Sequence, residues 1–164
     1  MKERFGASVE WLPFDLHPEY PPQGVPRNLE RAARTAQIFE PHGLVYNPPV
    51  SPRSLAALRL TEHARAQSLH EPFHNRLMDA HWAEAQDIGD PEVLRVLAAG
   101  VGLEGADDVL AGDAYAEDVR SSTAEAHAIG INGIPAFLLD RRLLVLGAHP
   151  RETFERAFAQ LGSA

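Results

Sequence analysis

The stretch Ile129–Ala148, IGINGIPAFLLDRRLLVLGA, decides how the rest of this 164-residue chain is read. Two short apolar runs, Ala136–Leu139 and Leu143–Leu146, flank the polar link Asp140-Arg141-Arg142. Apolar runs of this length bounded by turn residues predict two strands joined in a hairpin. Ahead of the first run stand Gly130, Asn132, Gly133 and then Ile134-Pro135. Proline has no N–H to give to a ladder, so Pro135 belongs at a strand's first residue or on an edge. The Ile134-Pro135 bond, set beside two glycines, is a candidate cis peptide; the plainer alternative is a trans proline entering an edge strand. After Gly147, Pro150–Leu161 carries Phe154, Phe158 and Leu161 at helical spacing, which predicts a closing helix over one face of the hairpin.

Upstream, Met1–Ala7 reads as the end of a helix stopped by Gly6, and Val9–Leu16 as a strand ended by His17-Pro18. Pro18, Pro21, Pro22 and Pro26 make 19–27 an extended connector, because each proline excludes helix at the residue before it. From there to Gly130 the pattern is helical. Asn28 is the expected N-cap of Leu29–Phe39, and Ser51 or Ser54 starts a helix reaching about Ser68. A further helix with Pro72 in its first turn is expected to bury Phe73, Leu77, Met78 and Trp82. Asp90 and Pro91 open the next, Ala106–Leu110 forms a short one, and Tyr115–Ile129 delivers the chain to the hairpin.

Lys and Arg number 15 against 23 Asp and Glu, a net charge of −8, which argues against nucleic acid and anionic membranes as partners. No apolar run approaches the ~20 residues that span a bilayer, and the first residues lack the apolar core of a secretory signal. A cytoplasmic location is the expectation. Cysteine is absent, which removes disulfides, thiolate metal sites and cysteine nucleophiles together.

His70-Glu71-Pro72-Phe73-His74 has the letters of a zinc-peptidase H-E-x-x-H, which needs both histidines on one helix. Proline prefers the first helical position and pushes its predecessor out of the α region, so His70 is expected to fall outside the helix of His74. His70, His74 and His81 then read as helix-surface histidines, with adventitious metal binding as the weaker alternative. No metal site is expected. Ser121 and Ser122 lack the strained glycine turn of a hydrolase nucleophile. The acidic residues around Asp87 and Asp90 are accounted for by caps and helix ends.

The glycine–Ile–Pro, strand, strand, Gly-Ala, helix series resembles the C-terminal half of a thioredoxin fold of the DsbA-like branch. Within that branch it is similar to the FrnE-type proteins and the related 2-hydroxychromene-2-carboxylate isomerases. Val9-Glu10-Trp11-Leu12-Pro13-Phe14-Asp15-Leu16-His17-Pro18 resembles the strand after that family's active-site helix. Asp87-Ile88-Gly89-Asp90-Pro91-Glu92-Val93-Leu94 and Ala111-Gly112-Asp113-Ala114-Tyr115 resemble its inserted helical domain.

The resemblance implies a thioredoxin-like α/β sheet over 1–27 and 128–164, with an all-helical insertion over 28–127 and the first β-α unit missing. It implies a thiol–disulfide oxidoreductase class, whose Cys-x-x-Cys has no counterpart in this chain. Catalytic residues are therefore none, and the chain is expected to be redox-silent as it stands. Gly133, Ile134 and Pro135 are the expected binding residues for an extended peptide or thiol substrate, and a homodimer is the expected assembly. No cofactor is expected; under the alternative of a glutathione-dependent isomerase or kappa-type transferase it would be glutathione. A non-enzymatic peptide-binding module is the other alternative. The missing strand would leave Val9–Leu16 and Ala136–Leu139 with open edges, so either these two segments pair directly or a homodimer covers the gap.

Overall fold

The computed structural model describes residues 2–162, with the side chains of residues 2 and 3 left aside. The elements run α1 (Lys2–Phe5), α2 (Leu29–Phe39), a 3-10 turn (Glu40–His42), α3 (Leu55–Ala66), α4 (His70–Trp82), α5 (Pro91–Gly100), α6 (Ala106–Ala111), α7 (Ala116–Ala128), β1 (Ala136–Leu139), β2 (Leu143–Leu146) and α8 (Arg151–Gly162). Two units result: 1–16 with 122–164, and 17–121. The first division falls before the proline connector, not after it. That connector is tied into the helical unit, where Val25 and Ser51 exchange both backbone hydrogen bonds at 2.9 Å. Arg27 donates to the Tyr46 hydroxyl and to the Val50 carbonyl. The later part of α7 goes with the other unit, because Ser122 donates to the Pro13 carbonyl and Thr123 accepts from the Asp15 N–H.

In the helical unit, Leu60, Phe73, Leu94 and Leu97 are sealed from solvent and hold α3, α4 and α5 on one core. Asn28 and Asp90 cap α2 and α5 as their side chains suggest, accepting from the Arg31 and Glu92 N–H groups at 2.8 and 2.9 Å. Arg59 is the unexpected member of this core, only 8% exposed. Its guanidinium donates to the carbonyls of Val109, Gly112 and Ala114, collecting the otherwise orphaned acceptors at the end of α6.

In the other unit β1 and β2 pair antiparallel with Phe137 opposite Val145 and Leu139 opposite Leu143. In the three-residue link Asp140 and Arg141 both take positive φ, +51° and +53°, and the Arg142 N–H bonds back to the Leu139 carbonyl at 3.0 Å. One face of the hairpin is covered by α8. Leu139, Val145, Phe154 and Ala157 are buried together, and the Phe137 ring meets Phe154 edge-on at 4.9 Å. Phe5 of α1 stacks on Phe158 at 4.3 Å.

Two expectations need correction. Val9–Leu16 is extended but is not a strand, and it does not pair with β1. A strand exists only while its N–H and C=O groups find a ladder, and here the Asp15 N–H and the Pro13 carbonyl bond instead to the Thr123 and Ser122 side chains of α7. His70 also lies inside α4, as its first residue, with Pro72 two positions on. The first turn of a helix needs no intrahelical N–H donors, so proline fits at its third residue as well as at its first.

Candidate binding site at the Ile134–Pro135 loop

The loop begins where α7 stops. The Ile131 N–H reaches the Ala126 carbonyl at 2.9 Å and the Gly130 N–H reaches that of His127 at 3.0 Å, with Gly130 at φ +89°. This is the Schellman arrangement, and its left-handed residue is the reason a glycine stands at 130. The His127 ring contacts the Ile131 carbonyl at 3.0 Å and the Asn132 side chain at 3.2 Å through Nδ1, fixing the loop from the helix side. The Phe14 ring stands edge-on to His127 at 5.3 Å.

The Ile134–Pro135 peptide is cis. The Pro135 carbonyl accepts from the Gly147 N–H at 2.8 Å, so the loop is anchored across to β2. Ile134 is 58% exposed, and its own N–H and C=O carry no hydrogen bond among the described residues. A shallow groove of about 420 Å³ lies here, lined by Gly133, Ile134, Pro135 and, from the other strand, Leu146 and Gly147. Gly133, Ile134 and Pro135 thus share one groove. Leu146 and Gly147 are lining residues that a linear reading misses, because only the β1–β2 register brings them opposite Pro135. Among the described residues no titratable side chain lines the groove, so the arrangement offers backbone groups, the Asn132 amide and apolar surface without an acid, base or nucleophile.

The Pro135–Gly147 bond also fixes which backbone groups face outward. In an antiparallel ladder bonded and non-bonded pairs alternate, so Phe137 and Leu139 face β2 while Ala136 and Leu138 turn their N–H and C=O to the open edge. Leu138 and Leu146 are 46% and 48% exposed on the face away from α8.

A second hollow, of about 450 Å³, lies within the helical unit beside Arg53, Arg59, Asp87 and Asp90. Burial holds the imidazoles of His70, His74 and His81 below their ordinary pKa. Among the described residues no three His, Cys, Asp or Glu side chains gather to hold a metal ion. No helix among them is long and apolar enough to cross a membrane.

Residues 1–159 match the DSBA-like thioredoxin domain. The chain belongs to the DSBA-like thioredoxin family. Protein YwbO of Bacillus subtilis (strain 168), uncharacterized, is 30% identical over 164 residues, covering 93% of this chain and 82% of its own length. The crystal structure of a probable DsbA oxidoreductase, SCO1869 from Streptomyces coelicolor, superposes with a TM-score of 0.79 at 28% identity. That likeness covers 90% of this chain and 72% of the other. The DsbA-like fold, with its helical insertion between two parts of a thioredoxin-like unit, is therefore the fold of this chain.

Proposed function

We propose that this member of the DsbA-like oxidoreductase family, of FrnE type, binds extended polypeptide at Gly133, Ile134 and Pro135 and does not itself exchange disulfides. The single observation that carries the reading is a groove whose exposed Ile134 offers an unengaged N–H and C=O, in a chain with no cysteine. An extended peptide finds there the main-chain partners that strand addition uses, with Leu146 as apolar surface for one of its side chains. Thiol–disulfide exchange needs an attacking thiolate, and this chain has none to supply.

The open edge supports a homodimer. Ala136 and Leu138 leave their outward backbone groups without partners among the described residues. An edge of this kind is a template for pairing with a second chain. The peptide reading is tested by titrating a cysteine-free peptide of alternating valine and threonine into the 15N-labelled chain. Amide shifts centred on Gly133, Ile134 and Gly147, weakened by Ile134→Asp, are expected. Shifts confined to other residues, or the same loop responding to glutathione and not to peptide, would overturn it.

A further inference from the structure

We propose that His70 and His74 form a two-histidine chelate for a divalent d-block cation at the start of α4. Both residues lie on this one helix, four positions apart. That is the spacing at which two histidines of one helix face reach a common metal. Their rings stand nearly parallel, 6° apart in plane with centroids at 5.7 Å, so both imidazoles lie along the same side of α4. The Nε2 of His70 is enclosed and has no hydrogen-bond partner among the described residues. A buried polar nitrogen left unsatisfied needs an explanation, and a cation accepting its lone pair is one with the right chemistry. Metal–nitrogen bonds of about 2.0–2.1 Å require the two donor atoms to come within roughly 4 Å, so binding would turn the His74 ring toward the His70 Nε2 about its side-chain torsions.

The surroundings suit a cation. Desolvation disfavours the charged form of both rings. Arg65 acts on His70 from α3, but its guanidinium is tied to Glu62 at 2.9 Å, and Glu71 adds a second carboxylate in the first turn of α4. The positive end of the helix dipole opposes a cation here, and Glu71 offsets it. With no third protein ligand gathered among the described residues, water completes the shell, and imidazole donors favour Cu²⁺ over Ni²⁺ and Zn²⁺. This is a binding site and not the zinc-peptidase centre, which takes three protein ligands.

Calorimetric titration of the tag-free chain with CuCl₂, and then with ZnCl₂, in a non-coordinating buffer tests it. One equivalent of Cu²⁺ is expected to bind more tightly than Zn²⁺. His70→Gln and His74→Gln should each weaken it at least tenfold, while His149→Gln leaves it unchanged. Circular dichroism checks that the variants keep their helices. The Cu²⁺ electron paramagnetic resonance spectrum should show coupling to two imidazole nitrogens, falling to one in either variant. No one-to-one event, wild-type affinity in either variant, or an unchanged spectrum in both would overturn the assignment.

Discussion

Asp140 and Arg141 hold the hairpin turn in a conformation that glycine and asparagine adopt far more readily. A left-handed residue with a Cβ costs about 1–2 kcal/mol, partly returned by glycine's larger loss of chain entropy. Replacing the pair by Asp140→Asn with Arg141→Gly is therefore expected to raise stability by about 0.5–1 kcal/mol, read as a higher urea midpoint. His81 gives a pH prediction. It is 4% exposed, and burial first, then the Arg27 charge, lowers its pKa below the ordinary value of about 6.5. Unfolding restores the ordinary pKa, so the unfolded chain binds the extra proton. Stability should be full above about pH 6.5 and fall as the pH drops through the folded-state value. Urea midpoints at pH 7.5 and 5 should differ less in His81→Gln than in the parent chain; an equal or larger difference would count against this account. Of these residues, the sequence marks Pro135 and Asn28 by their chemistry alone. His81 is not marked, because a histidine on an apolar stripe looks the same whether its face is wet or dry.

At the scale of elements, the core stripes and helix caps were legible because helical period and capping chemistry are local. Val9–Leu16 was not, because its apolar pattern states only that one face wants cover, while a strand also needs a neighbour's backbone. The start of α4 is hidden for a related reason: proline's preference for the first helical position does not tell it from the other positions of a first turn whose N–H groups have no intrahelical acceptor. Arg59 is likewise invisible in the sequence, since its carbonyl partners lie about fifty residues away. Arg59→Met should lower the unfolding free energy by about 2–4 kcal/mol, because several buried acceptors lose a charged donor at once. Gly24 is as demanding. It has φ +68°, and a Cβ there would stand 2.6 Å from the Ser51 carbonyl oxygen. Gly24→Ala should cost about 1–3 kcal/mol and loosen the Val25–Ser51 bridge, seen as faster exchange of those two amides.

For the molecule as a whole, the family was legible from a series of blocks, Gly-Ile-Pro, hairpin and closing helix, whose order matters more than any one of them. The proposed homodimer depends on what meets the open edge of β1, and the proposed redox silence on the absence of cysteine. Light scattering over a tenfold range of concentration should show a dimer; a monomer throughout would remove the homodimer from this account. The chemistry is tested most directly by reduction of insulin with dithiothreitol, followed as turbidity with and without the 164-residue chain. A scaffold that offers a peptide groove but no thiolate should leave the rate at its background value, and a clear acceleration by the chain would contradict it.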